Sequence, residues 1–329
     1  MKPQRCDRVV QVIERLSDGH FHSGEALGAL LGVSRTAVSQ YIKDIQALGV
    51  DVFRITGKGY RLAAPLALIN MEQIHAHIEA EGERVDNIYL ERILASTNDY
   101  IKQQISLGID PGLTVFSEAQ TQGRGRRGKR WVSPFGSNLY MSMYWRLDQG
   151  MSAAMGLSIA LGTVIAELLS ELGVFDVEVK WPNDVLVNGK KVAGILIELE
   201  GQALGVAHSI IGIGLNLTMP PWMADQIDQP WTDLSTLLNG KFNRNEVAAA
   251  LVIKCRKALQ AYNESGLNHF LPSWQKYDRL AKQPVRILMG DKELHGIAEG
   301  IDETGALLVK REGNLERFHA GEVSLRYGA

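Results

Sequence analysis

Cysteine is scarce: Cys6 and Cys255 are the only two in 329 residues, and they lie far apart. That excludes a disulfide framework and a Cys-clustered metal site, so a reducing cytoplasm is the expected setting. Long apolar runs are missing too. The most apolar stretch, residues 151–172, is interrupted by Gly156, Gly162, Glu167 and Glu171, so it reads as a buried helix and not as a membrane span. The opening Met-Lys-Pro-Gln-Arg-Cys-Asp is followed by no apolar core of a signal peptide. Charge of one sign is equally lacking, since the formal net charge is -2. The balance conceals an asymmetry: residues 1–64 carry nine Lys/Arg against six Asp/Glu, and the remainder 26 against 31. A basic end on an acidic body is a weak pointer to an anionic partner. With 45% apolar residues the chain is an ordinary globular one, long enough for two or three domains at roughly 100–200 residues each.

What is present begins with helical periodicity. Val9, Val10, Ile13 and Leu16 form one apolar face, stopped by Ser17-Asp18-Gly19. Ser23 is placed to cap a second helix bearing Ala26, Leu27, Leu30 and Leu31, which Gly32 ends in a left-handed turn. Ser34 caps a third, whose Val38, Tyr41, Ile42 and Ile45 follow helical spacing. On its other face stand Arg35, Thr36, Ser39, Gln40 and Lys43, near the helix start, where a recognition helix reads the major groove. Strands over residues 50–55 and 60–62 flank the basic turn Thr56-Gly57-Lys58-Gly59. Three helices and a basic wing in this order predict a winged helix-turn-helix over residues 1–64. Its DNA-binding residues would be Ser34, Arg35, Thr36, Ser39, Gln40, Lys43 and Lys58. Any one such polar face alone reads equally well as a solvated surface.

Beyond the linker opened by Pro65, helices and strands mix. Ser96-Thr97-Asn98 is expected to cap a helix, residues 153–173 to form a long one, and Asn188-Gly189 to turn a hairpin. Strands outnumber helices and several are joined tightly, which favours an α+β domain with a mixed sheet. Gly123-Arg124-Gly125-Arg126-Arg127-Gly128-Lys129-Arg130 satisfies the dinucleotide pattern GxGxxG and nearly satisfies a phosphate loop. Both need a following helix, and Pro134 with Gly136 argues against one, so both readings are rejected. What remains is a flexible loop of arginine forks and glycines, suited to a carboxylate and phosphates, or a plain basic surface loop. Lys180-Trp181-Pro182-Asn183-Asp184 leads through the hairpin to Lys191, so Asp184 and Lys191 are expected at one sheet end as a charge clamp or a surface ion pair. Gly212 and Gly214 alternate on one strand face, leaving room for a ring or for close packing. Residues 218–231, with Trp222 and Trp231, read as a lid or as a surface loop. His20, His22, His75 and His77 lack a third ligand and are taken as solvent-facing, and Cys255 as buried and inert.

In order and spacing, the Ser96–Asn98 triplet, Gln120 with the glycine-arginine run, KWPND with Lys191, and residues 212–216 together resemble the biotin–protein ligase family. The first domain is similar to that of the family's biotin-operon repressors. The resemblance covers nearly the whole chain. It implies a catalytic domain of the biotin/lipoate ligase type over residues 65–281. Short strands broken by Gly290-Asp291, Gly305, Gly313 and Gly321 add a small SH3-like barrel over residues 282–329. It further implies activation of biotin by ATP with Mg²⁺, transfer to a lysine of biotin carboxyl carrier protein, and repression of biotin-biosynthesis operator DNA by an adenylate-bound homodimer. Catalytic roles fall on Arg126, Lys191 and Asp184. Biotin binding falls on Ser96, Thr97, Asn98, Gln120, Gly123, Arg124, Gly125, Arg126, Lys191, Gly212 and Gly214, and adenylate binding on Asn216 and Trp231, with Trp131 as packing support. No protein-held metal and no membrane partner are expected. A non-catalytic ligand sensor and a lipoate ligase are the rival readings.

Overall fold

The computed structural model describes residues 3–148, 150–201, 205–289, 292–319 and 324–327. Helical periodicity at the start is realised as α1 (Pro3–Leu16), α2 (Gly24–Leu31) and α3 (Arg35–Ala47), followed by the antiparallel hairpin β1 (Val52–Ile55) and β2 (Gly59–Leu62). The expected caps form. Ser23 Oγ accepts from the Ala26 amide at 3.0 Å and Ser34 Oγ from that of Ala37 at 3.2 Å, while Gly32 ends α2 at φ +63°. Val9, Ile13, Leu16, Val38, Ile42 and Ile45 converge with Tyr60 and Leu62 in one core.

One expectation, the solvent-facing His22, needs correction here. Of the four apolar residues of α2 only Leu27 is buried, and Leu30 is 61% exposed. The helix instead turns Gly28 inward, where an added Cβ would stand 2.7 Å from the Val33 carbonyl oxygen. His22 does not face solvent: its side chain is 11% exposed and its Nε2 pairs with Asp18 at 2.9 Å, whereas His20 is open.

The second domain starts with α4 (Met71–Ala80), β3 (Ile88–Leu94), α5 (Thr97–Ile105), β4 (Thr114–Gln120) and β5 (Leu139–Leu147). It continues with α6 (Leu157–Glu171), β6 (Val177–Lys180), β7 (Asp184–Val187), β8 (Lys190–Gly201) and β9 (Ala207–Leu215). Then follow α7 (Leu234–Leu237), α8 (Arg244–Ser265) and α9 (Leu271–Tyr277). The long helix begins later than expected, because Gly156 at φ +82° separates it from a short 3₁₀ turn. Seven strands form one sheet in the order β3-β4-β5-β9-β8-β7-β6, parallel only between β3 and β4. Strand alternation divides its faces. Phe116, Met141, Met143, Ile211 and Ile213 pack with α4, α6 and α8; Val115, Tyr144 and Ile210 pack with α5. The α5 face carries the candidate site.

The last segment, β10 (Pro284–Met289), β11 (Lys292–Ile301), β12 (Leu307–Arg311), β13 (Asn314–Phe318) and β14 (Ser324–Tyr327), forms an antiparallel sheet in the order β13-β12-β11-β10-β14. This five-stranded antiparallel sheet stands where the small SH3-like barrel is expected. The turns expected at Gly290-Asp291 and Gly321 lie outside the described residues. Trp181 ties this sheet to the body by donating from Nε1 to the Gly305 carbonyl at 3.0 Å. Among the described residues no helix is long and apolar enough to cross a membrane.

One buried carboxylate joins the parts. Glu118, fully buried on β4, accepts from Arg244 Nη1 of α8 at 2.6 Å, from Arg92 Nη1 of β3 at 3.3 Å and from the Ile69 amide of the linker at 2.6 Å. Arg92 also reaches Glu14 of α1 at 3.3 Å. Replacing Glu118 by Ala leaves Arg244 buried without its counter-charge, and the expected loss is about 3–5 kcal/mol in urea unfolding; a loss below ~1 kcal/mol would show that the network does not hold these elements. Burial pushes the Cys255 thiol up to about 12, so native protein near pH 8 should be alkylated at Cys6 and not at Cys255, as peptide mapping would read.

Candidate functional site

Register sets the floor of the cleft. Gly194 pairs with Gly214 and Leu196 with Gly212, while Ser142 lies opposite Gly212 on β5. The two floor glycines are closely packed. A Cβ on Gly212 would overlap the Asn98 amide, and one on Gly214 would overlap the Trp131 ring. Close packing by itself therefore requires glycine at both positions.

At one end, side chains form a continuous hydrogen-bond chain. Gln120 Oε1 accepts from the Thr97 amide at 2.9 Å and from Thr97 Oγ1 at 3.1 Å; Gln120 Nε2 donates to Ser133 Oγ at 3.1 Å. Ser142 Oγ lies 2.7 Å from Thr97 Oγ1 and 2.6 Å from Asn98 Oδ1. Ser96 occupies the N-cap position of α5, but its side chain makes no capping bond. Gln120 takes that role from across the sheet, so the helix start is held by a tertiary contact.

The basic loop is not irregular. Gly125 donates to the Lys129 carbonyl at 2.7 Å and Trp131 to that of Gly123 at 2.9 Å, closing a hairpin whose tip, Arg127, sits at φ +56°. Only a three-residue 3₁₀ turn follows Gly125, and no α-helix, which bears out rejection of both phosphate-loop readings. Arg126 points into the cleft and donates to Asn183 Oδ1 at 3.2 Å. Burial lowers its pKa, Arg127 adds to that, and Asp184 opposes it. Arg124 is held instead by Asp99 and Glu198.

At the other end the hairpin does what its turn demands. Asn188 and Gly189 take φ +49° and +73°, and a register shift after Val185 brings Lys191 back over β7. Lys191 Nζ lies 2.7 Å from Asp184 Oδ1 and 5.2 Å from the centroid of the Trp131 ring. Both partners are mostly buried, 13% and 21% exposed. The end of the 218–231 segment pairs with Lys191 through a single parallel bridge: Lys191 donates to the Pro230 carbonyl at 3.0 Å and Thr232 to that of Lys191 at 2.9 Å. Beside it, Asn216 Oδ1 and Trp131 Nε1 are buried without a hydrogen-bond partner.

These groups line one cleft of about 410 Å³, with Asn216 and Trp231 at a smaller adjoining recess. Of the cleft residues expected from sequence, Ser96, Thr97, Asn98, Gln120, Arg124, Gly125, Arg126, Asp184, Lys191, Gly212 and Gly214 line it directly, and Gly123 braces Trp131. Asn183 and Asp228 also line the cleft, and Ser142, Asp99 and Glu198 bond residues that line it; none of the five is among the expected site residues. Asn183 stood inside KWPND and Asp99 beside the Ser96–Asn98 triplet, but Ser142 and Glu198 join only through sheet register. In the first domain Arg35, Thr36, Gln40, Lys43 and Lys58 are exposed, Ser39 is half-buried, and Ser34 is exposed while its oxygen caps α3.

A winged helix joined to a mixed sheet with a cation-lined cleft defines a two-part architecture, and comparison with known proteins places it. The Biotin/lipoate A/B protein ligase family matches residues 89–216, an HTH domain residues 8–61, and the Biotin protein ligase C terminal domain residues 283–326. The chain is 43% identical to the bifunctional ligase/repressor BirA of Salmonella typhimurium over 96% of each chain, and 41% identical to that of Escherichia coli over 96% of this chain and 97% of the other. Among solved structures, the biotin protein ligase of Aquifex aeolicus in complex with biotin and ATP matches with a TM-score of 0.65 at 26% identity, over 74% of this chain and all of that one. The chain thus belongs to the biotin protein ligases, in the group of bifunctional ligase/repressors.

Gly214→Ala tests this close packing. The added methyl should displace Trp131, shift the tryptophan emission and cost about 1–3 kcal/mol; unchanged emission and stability would contradict the packing.

Proposed function

We propose that this chain joins the biotin carboxylate to the α-phosphate of ATP, giving biotinyl-5'-adenylate, and passes biotin to a lysine of a biotin carboxyl carrier protein. Carrying the adenylate, it represses biotin-biosynthesis genes as a homodimer on operator DNA. We take residues 1–64, 65–281 and 282–329 as the DNA-binding, catalytic and C-terminal units. The observation that carries the reading is the Lys191 ammonium, mostly buried between Asp184 and the Trp131 face in the same cleft as Arg126.

A carboxylate oxygen and a triphosphate repel each other, so their reaction needs fixed positive charge at the meeting point. Lys191 and Arg126 supply it as the carboxylate oxygen bonds to the α-phosphorus and pyrophosphate leaves. Asp184 pairs with Lys191 and aims it. The acceptor lysine then attacks the acyl carbon and AMP leaves, so no protein nucleophile is required and catalysis is positioning with charge neutralisation. Asn216 and Trp231, at the adjoining recess, are assigned to the adenine side. The Gln120–Thr97–Ser142–Asn98 chain at the far end suits a ureido group better than an apolar dithiolane, which favours biotin over lipoate.

Among the described residues no group of three or more His, Cys, Asp or Glu could hold a metal ion. We assign Asp184 to organising the ATP site or its Mg²⁺. For repression, Arg35, Thr36, Gln40, Lys43 and Lys58 present an exposed polar and basic face. Two copies of it would read a palindromic operator.

Pyrophosphate release from ATP should require biotin, not occur with lipoate, and drop about 10²–10³-fold in kcat for Lys191→Ala. Biotin binding without release would replace the ligase reading with a non-catalytic sensor.

A further inference from the structure

Two arginines stand on opposite faces of the wing, and their neighbours distinguish them. In the register of β1 with β2, Arg54 lies opposite Tyr60 and Phe53 opposite Arg61. Strand alternation therefore puts Arg54 and Tyr60 on one face, Phe53 and Arg61 on the other. His22 bridges the far side of β2, exchanging both backbone hydrogen bonds with Tyr60 at 2.9 and 2.8 Å. That leaves β1 at the edge, with Phe53, Arg54 and Ile55 all exposed.

The face of Arg54 runs into the recognition helix. Tyr60 is buried, and a Cβ on Gly24 would stand 3.6 Å from its ring and 3.1 Å from Cγ of Arg35, the first residue of α3. The Arg54 guanidinium carbon lies 6.0 Å from the centroid of the same ring. Arg35, Tyr60 and Arg54 thus form one row from α3 onto the wing. On the opposite face, Arg61 stacks on Phe21 at 4.9 Å and Phe53 at 5.8 Å, and its Nε is buried without a hydrogen-bond partner. Its guanidinium is committed to those rings.

Charge sharpens the contrast. Arg5, Arg15 and Arg35 of this domain each have a carboxylate partner, whereas Arg54 has none among the described residues. An exposed guanidinium with no acid beside it keeps its charge and its fork of donors for an external anion. Duplex DNA presents such anions, the backbone phosphates, beside the groove that a recognition helix enters.

We propose that Arg54 is a further DNA-contact residue: it extends the face of α3 onto the wing and binds a backbone phosphate, while Arg61 ties the wing together. The proposal rests on the DNA-reading role given above to residues 1–64. A phosphate contact positions a duplex without selecting its sequence. Arg54 therefore adds affinity and salt dependence to what α3 reads, and no base preference.

Fluorescence anisotropy of the full chain with biotin and ATP measures the contact over a series of salt concentrations. One probe is a duplex spanning the promoter of a biotin-biosynthesis gene, the other a mixed-sequence duplex of equal length. Arg54→Ala should weaken binding to both about tenfold. The slope of log K against log salt should become shallower by about 0.9 per phosphate, about 1.8 for a homodimer. Arg54→Lys, which keeps the charge, should retain the slope. Arg61→Met removes an equal charge from the same hairpin while still covering the rings, and should leave the slope unchanged. The unfolding midpoint of each Arg54 variant should match the unaltered protein, because the side chain is exposed. Weaker binding of Arg54→Ala at an unchanged slope would overturn the phosphate contact, and so would an equal loss of slope in Arg61→Met. If the unaltered protein binds both duplexes alike and Arg54→Ala still flattens the slope, the wing contact stands and the operator reading falls.

Discussion

The Glu118 carboxylate is the constraint on which the arrangement rests. A fully buried carboxylate is costly unless paired and hydrogen-bonded, and Glu118 is satisfied by partners from β3, α8 and the linker at once. Arg244 extends the network, donating to the carbonyls of Ala67 at 2.8 Å and Asn138 at 2.7 Å. Asn138 in turn accepts through Oδ1 from the Leu217 amide at 2.9 Å and that of Thr218 at 3.3 Å, where β9 gives way to the 218–231 segment. One buried charge thus holds the entry to the catalytic sheet, its exit toward the 218–231 segment and, through Arg92, the first helix.

The same segments that wall the cleft support the DNA-binding domain. Phe135, four residues after Trp131, donates from its amide to the Leu48 carbonyl at 2.8 Å, just past α3. Trp222 donates from Nε1 to the Gly49 carbonyl at 3.2 Å. Gly49 sits at φ +84°, and a Cβ there would stand 2.7 Å from Pro134. The winged helix is therefore docked on the body through the end of its recognition helix, and Pro65 begins a linker between packed domains. Leu66 and Leu68 of that linker pack into the N-terminal core.

Charge in the cleft is divided by pairing. Arg124 is neutralised by two acids, whereas Lys191 shares one acid and an aromatic face, and Arg126 is desolvated. Fixed cations in a partly dry cleft act more strongly on a developing charge than solvated ones. Arg124 and Arg126, two residues apart in one short run, therefore have different partners, which their neighbours and not their residue type decide.

Local signals were legible because their physics is local. Ser23 and Ser34 each accept from a backbone amide three residues on, Asn188-Gly189 adopts the left-handed turn its residue types favour, and helical periodicity marked Val38, Tyr41, Ile42 and Ile45 as buried. Even the clamp of Asp184 with Lys191 followed from a hairpin of known length. The family resemblance supplied the rest of the cleft, residue by residue. What sequence left open depended on which strand lies beside which. The order β5-β9-β8 sets Ser142, Gly212 and Glu198 on one face with α5, so Gln120 caps a helix in place of Ser96 and Asp99 fastens an arginine 25 residues away. The sequence by itself determined the elements, their caps and the glycine-arginine run, because each depends on residues within a turn or two. Only the tertiary structure decided which charges pair with which, because ion pairing depends on distances that sequence separation does not encode.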